Sequence, residues 1–297
     1  MTAKERLMAV IPGRISRALL YTVLTVGAAT SLAPFIWMIL TSLKSYREMA
    51  TRVLWPAALR FSTYSLPVDQ RPIPHLFYNY VQAWNAAPFA RYFANSFLLA
   101  SCTATGVLIT SSLAAYAFAR LNFYGKNTIF VLFLATMMIP FEVTMIPNYI
   151  TVSRLGWINT YWAVIIPWVA SVFGIFLLRQ FFATIPDDLY DAALLDGCGH
   201  FRFLTQIVLP LSKPALISVG LFNFLGSWNA FTWPLIVTRE EKMYPIQVGL
   251  RYFVTESGTA TQELMAAATI TILPLVILYF FAQRQFIEGI STTGLKG

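Results

Sequence analysis

The sequence predicts an all-α, polytopic membrane protein, and three observations lead there. First, 57% of the 297 residues are hydrophobic and 11% are charged, where soluble domains carry roughly 25% charged residues; mean hydropathy is +0.63. Second, the charges leave six windows long enough to cross a bilayer, whose core of about 30 Å takes roughly 20 apolar helical residues. Third, these windows lack the alternation of barrel strands, so helices are the form that satisfies their backbone in lipid.

Each span follows from the distance between charges. No Asp, Glu, Lys or Arg occurs between Arg17 and Lys44, which puts the first span near 18–40 with a bend at Pro34. The second lies near 93–118, between Arg91 and Arg120, and the third near 127–149, interrupted only by Glu142. The fourth lies near 160–180, the fifth near 215–237 and the sixth near 264–283. Between them fall external loops at 41–91 and 239–263, a polar segment at 184–214 and a C-terminal tail at 284–297. Six spans put both termini on one side of the membrane. The cluster Lys4, Arg6, Arg14 and Arg17 before the first span assigns that side to the cytoplasm. The long first run has no small-residue cleavage site and reads as an uncleaved anchor.

Several function classes are disfavoured by what the chain lacks. The net charge of +8 is scattered among apolar runs and forms no basic stripe for nucleic acid. Cys102 and Cys198 have no disulfide or metal spacing, and His75 and His200 stand far apart, so neither a metal site nor an acid–base cluster is visible. Gly125-Lys126 is followed by Asn127 and is not a phosphate loop. Any nucleotide hydrolysis has to come from another protein.

The stretch from Pro186 to Pro214 is polar and patterned in an otherwise oily chain. Thr184 is a candidate cap, Pro186 suits a first turn, and Asp187 and Asp188 complement the positive end of a helix. A helix from about Pro186 to Leu195 is expected, then a break at Asp196-Gly197, then a helix from about His200 to Leu209 that Pro210 and Pro214 discourage from continuing. Leu189, Leu194, Leu195, Phe201, Phe203 and Ile207 make this an amphipathic knob. Such a knob either rests on lipid headgroups or lies in a groove of a partner.

The spacing of Asp191-Ala192-Ala193, Gly197 and Ile207-Val208-Leu209-Pro210 resembles the EAA signature of ABC importer permeases, with Asp191 where that family usually has Glu. Asn95-Ser96, Ala114 to Arg120, Pro140, Pro147, Leu155 to Thr160, Trp228-Asn229 and Gly294-Leu295-Lys296-Gly297 extend the likeness. Together they are similar to the second, six-span permease of maltose-type carbohydrate importers, from about Asn79 onward. The resemblance implies a type I ABC importer permease fold in the inner membrane and no enzyme activity or cofactor in this chain. The implied partners are a second permease subunit, two ATP-binding subunits that hold ATP and Mg, and an extracytoplasmic substrate-binding protein. It also implies that Asp191, Ala192, Ala193, Asp196, Gly197, Phe201, Ile207, Leu209 and Pro210 lie at an ATPase cleft. The tail residues Thr293, Gly294 and Lys296 would approach the ATPase dimer interface.

For substrate contact, Asn223, Ser227, Trp228 and Asn229 combine amide groups with an aromatic face, a mixture that suits a polyhydroxylated ligand. Small and amide side chains also serve helix packing in membranes, and Trp233 also reads as an interfacial anchor. Glu142, a carboxylate within a span, reads as solvated at a helix break between Pro140 and Pro147 or as a substrate or proton contact. The expected cargo is a sugar, glycoside or polyol. Glycerol-3-phosphate is the alternative, although the spans hold few cations for a phosphate. An ion-coupled secondary transporter accounts for Glu142 but not for the signature.

Overall fold

The computed structural model describes residues 13–50, 54–56, 77–255 and 258–293. Lys4, Arg6, His75, Gly294 and Lys296 lie outside the described residues. The chain divides into two compact units, Met1–Ala86 with Phe253–Ile270, and Ala87–Tyr252 with Thr271–Gly297.

In the first unit, α1 (Gly13–Ser42) is an apolar helix of 30 residues that carries Pro34 internally. Its C-terminal turn is held by Asn79, whose Nδ2 donates to the carbonyls of Ser42 and Lys44 at 2.7 and 2.8 Å. Lys44 is buried with its ammonium 4.7 Å from the centre of the Trp37 ring, a cation–π contact that offsets part of its desolvation. A capping box starts α2 (Tyr46–Ala50): Ser45 N–H donates to Glu48 Oε2 at 2.8 Å and Glu48 N–H returns to Ser45 Oγ at 3.4 Å. Helix α3 (Tyr78–Ala86) follows. The two-residue strands Val254–Thr255 and Gly258–Thr259 pair antiparallel and are the one departure from helix among the described elements.

The second unit is built on α4 (Phe89–Arg120), a helix of 32 residues. Helices α5 (Lys126–Thr136) and α6 (Phe141–Arg154) follow. Next come α7 (Tyr161–Ile165), a tight turn Ile166–Trp168 and α8 (Val172–Phe182). Ser171 Oγ caps α8 by accepting from Gly174 N–H at 3.1 Å. After α9 (Asp187–Leu195) and α10 (His200–Leu211) come α11 (Lys213–Trp228), α12 (Thr232–Val237) and α13 (Ile246–Gly249). Helix α14 (Thr261–Thr293) contributes to both units. The core joins Val107, Ala115 and Tyr116 of α4 to Leu178 and Phe182 of α8, Phe203 and Val208 of α10, and Val219 of α11. A second cluster joins Leu99 to Val152, Val164, Trp233 and Val237. Trp233 is buried there, its Nε1 donating to Ala163 O at 2.9 Å, so it is a packing residue and not an interfacial anchor.

Among the described residues three helices are uninterrupted, apolar and long enough to cross a membrane: Arg17–Ser42, Phe89–Arg120 and Thr261–Phe281. Up to three further crossings are bent pairs. The stretch expected as one span near 127–149 is two helices meeting at 98°. Pro140, extended at ψ 144°, stands at that break, because it has no N–H to give and disfavours helix in the residue before it. The stretch expected near 215–237 is likewise interrupted, with Asn229 to Phe231 separating α11 from α12.

Candidate functional site

The polar segment between α8 and α11 forms a two-faced turn. Helix α9 starts at Pro186 with Asp187 and Asp188 in its first turn. Thr184 is not its cap, since its hydroxyl donates back to Phe181 O at 2.8 Å. At the other end Gly197 takes φ +73°. Cys198 N–H then reaches Ala193 O at 2.9 Å and Gly197 N–H reaches Leu194 O at 3.0 Å. This is the Schellman pair of bonds that closes a helix on a left-handed residue. Helix α10 continues past Pro210 to Leu211, beyond the expected end. Its middle, Leu204–Val208, is a π turn in which Leu209 N–H bonds Leu204 O. The wider turn admits a proline ring that a regular helix would reject.

One face of this segment packs into the core and the other is bare. Ala193, Cys198, Phe203, Leu204 and Val208 are buried, whereas Leu194, Phe201 and Leu195 are 56%, 72% and 90% exposed. Of the residues singled out from sequence, Asp191, Ala192, Asp196, Gly197, Phe201 and Pro210 lie on the exposed side. Ala193 lies beneath them, and Ile207 and Leu209 are half-buried against the core.

Two residues that the sequence offered only as part of a likeness, with no role of their own, tie this segment to α4. Arg120 donates to Asp187 Oδ1 and to the carbonyls of Phe182 and Ile185, with its side chain 9% exposed. One guanidinium thus satisfies the carbonyls at the end of α8 and the first acid of α9, a use suited to its rigid fork of donors. Four residues earlier, Tyr116 Oη lies 3.0 Å from Nδ1 of His200, whose ring stacks on Tyr190 at 5.5 Å. His200 is therefore a junction between helices, a role its isolation in the sequence did not signal. The signal available for Arg120 was a basic residue closing a long apolar helix.

The opposite end of α4 holds the loop after α12. Asn95 Nδ2 donates to the carbonyls of Lys242 and Tyr244, both at 2.9 Å, and Asn95 Oδ1 accepts from Tyr161 Oη at 2.8 Å. Tyr92 Oη donates to Glu241 at 2.6 Å, Arg91 Nε to Lys242 O at 3.1 Å, and Ile246 N–H to Ser96 Oγ at 2.7 Å. Asn159, at φ +62°, adds a second anchor: its Oδ1 accepts from the N–H groups of Arg239 and Glu240 at 3.0 and 3.1 Å. The Lys242 ammonium, by hydrogen bond and charge, holds the Glu240 carboxyl below the usual carboxylate range, and the Asn159 amide adds to this.

Among the expected substrate contacts, Asn223 donates to Val219 O of its own helix at 2.8 Å, and Ser227 is half-buried. Trp228 is 1% exposed, closed in by Phe224 and Phe93 at 5.9 Å each, with its Nε1 unpartnered among the described residues. Its face is thus occupied by aromatic neighbours. Asn229 ends α11 and accepts from Gln247 at 3.3 Å. Glu142 stands apart on the first turn of α6 with its side chain exposed. Among the described residues no group of three or more His, Cys, Asp or Glu could hold a metal ion.

Residues 106–292 match the family described as binding-protein-dependent transport system inner membrane component. The chain belongs to this family. It is 33% identical over 289 residues, 96% of this chain and 99% of the relative, to the arabinooligosaccharides transport system permease protein AraQ of Halalkalibacterium halodurans. It is 36% identical over 235 residues, 76% of this chain and 84% of the relative, to the sn-glycerol-3-phosphate transport system permease protein UgpE of Yersinia enterocolitica. A chain of a bacterial ABC transporter involved in the import of the acidic polysaccharide alginate superposes with a TM-score of 0.74 at 22% identity, covering 96% of this chain and 98% of that one. That likeness is one of fold. The all-α, polytopic class read from the sequence is the class of this permease family, and its members are transport components, not enzymes.

Proposed function

We propose that this binding-protein-dependent permease is one transmembrane subunit of an ATP-driven importer for a sugar, glycoside or polyol. The observation that carries the proposal is the bare apolar face of Leu194, Leu195 and Phe201 on a turn fixed from within by Gly197. Exposed apolar side chains on a rigid, well-packed support are what a partner's groove would hold. In this reading the groove belongs to an ATPase subunit that binds ATP and Mg. Closure of two such subunits drags the turn, and the helices that carry it swing the pathway from inward to outward. A second permease completes the pathway and an extracytoplasmic binding protein delivers the substrate. Both termini face the cytoplasm of a cell with an inner membrane, and the tail with Thr293, Gly294 and Lys296 approaches the ATPase dimer.

The substrate class rests on the arabinooligosaccharide relative and on the sparsity of cations in the apolar spans. The glycerol-3-phosphate relative favours the second reading, in which convergent cations come from the partner permease. Titration of the purified binding protein with arabino-oligosaccharides and with glycerol-3-phosphate separates the two. Affinity purification of the tagged chain from membranes tests the assembly: an ATPase and a second permease are expected to come with it. A chain that transports alone with an ion gradient would overturn the reading.

A further inference from the structure

Helix α4 is gripped at both ends. Near its C-terminus Arg120 and Tyr116 hold the turn that carries α9 and α10. Near its N-terminus Asn95, Tyr92, Arg91 and Ser96 hold the loop 241–246. The helix between is suited to carry force. Of the three uninterrupted apolar helices it alone has no proline, while α1 has Pro34 and α14 has Pro274, and proline is a common cause of kinks. Each grip includes a side chain of α4 that donates to main-chain carbonyls, Asn95 at one end and Arg120 at the other, beside the side-chain pairs Tyr92–Glu241 and Tyr116–His200. Asn95 is 3% exposed and spends both amide donors and its oxygen on three partners. Arg120 spends one fork on α8, the α8–α9 link and α9 together.

We infer that α4 is a strut that makes the loop after α12 move with the ATPase-facing turn, with Asn95 and Arg120 as its two positioning residues. This rests on the proposed coupling of the turn to an ATPase and adds to it that the loop at the far end is driven mechanically. Through the strut, closure of the ATPase subunits would be felt at 241–246, and engagement of that loop would be felt at the turn.

Reciprocal linkage of this kind is tested by a double-mutant cycle, because two sites this far apart act independently unless something joins them. The complete complex is reconstituted, and ATP hydrolysis is measured alone and with binding protein saturated by whichever of arabino-oligosaccharide or glycerol-3-phosphate it binds. Asn95→Ala and Arg120→Lys should each leave basal hydrolysis within about 2-fold and lower the stimulation about 10-fold, a size typical of lost coupling. The double variant should lose no more than about 10-fold, since either break interrupts the same strut. Losses that multiply toward about 100-fold, or a single variant that keeps full stimulation, would overturn the inference. If Arg120→Lys does not assemble, Tyr116→Phe removes only the hydroxyl contact to His200 and takes its place in the cycle. Absence of ATPase or of stimulation in the unmodified complex would refute the proposed function itself, and the strut with it, before any variant is made.

Discussion

Gly249 lies flat against Tyr92, so close that a Cβ at Gly249 would fall 2.2 Å from Cδ2 of the ring. The Tyr92 ring at the start of α4 therefore packs directly on the backbone of the helix Ile246–Gly249, with room for no side chain on Gly249. Gly249→Val should force them apart at a cost of about 1–3 kcal/mol, the usual range for overpacking. Amide hydrogen exchange of residues 241–249 is expected to quicken; unchanged protection would show that the contact is not a constraint.

Gly197 presents the opposite case, since a Cβ there would meet nothing within 4 Å but the backbone sits at φ +73°. The cost of a side chain is conformational, on the order of 1–2 kcal/mol for most residues and less for Asn. Within this chain, Gly197→Asn is thus expected to be mild and Gly197→Val harmful to the turn. If a partner's groove covers the glycine, Gly197→Trp should also lower transport-coupled ATP hydrolysis well below the Val variant while the protein stays in the membrane. Equal coupling in the Trp and Val variants would argue against the groove.

Leu195, 90% exposed at the tip of α9, contributes nothing to the packing of this chain. Leu195→Asp should leave membrane insertion and thermal stability unchanged and should remove the ATPase from the purified complex, as truncating a central anchor costs about 2 kcal/mol or more. Full retention of the ATPase would locate the anchor elsewhere, with Phe201 the next candidate.

Glu142 follows Pro140 in the first turn of α6, where a carboxylate stabilises a helix by about 0.3–1 kcal/mol. Glu142→Gln is therefore expected to lower stability slightly and to leave transport and its pH dependence intact. A large loss of transport, or a shifted pH profile, would make it a substrate or proton contact after all.

What was legible in the sequence is the part that depends on local chemistry. The three uninterrupted apolar helices overlap windows that the charges leave open, and Asp196-Gly197 announced the break that Gly197 makes with its positive φ. Pro140 marked a real interruption, but nothing local gave the 98° turn, because that angle is set by what α5 and α6 pack against. Arg120 and Asn95 were quoted from sequence only as parts of a likeness. Their partners are backbone carbonyls far along the chain, and a carbonyl has no residue type to leave a pattern. Trp228 shows a related limit: its place beside amides is read from the sequence, whereas the packing of Phe93 and Phe224 against it is visible only in the fold.

The length of α4 bears on where its polar ends can sit. At 1.5 Å per residue the 32 residues of this helix extend about 48 Å, and Asn95 and Arg120 are separated by roughly 37 Å of it. A hydrocarbon layer of about 30 Å fits between them with a few ångströms to spare. Both grips can thus sit in the hydrated headgroup zone, so that neither the Asn95 amide nor the Arg120 guanidinium resides in the hydrocarbon layer once the helix spans it. A thicker bilayer would narrow that margin, so lipid acyl length becomes a lever on the same two contacts.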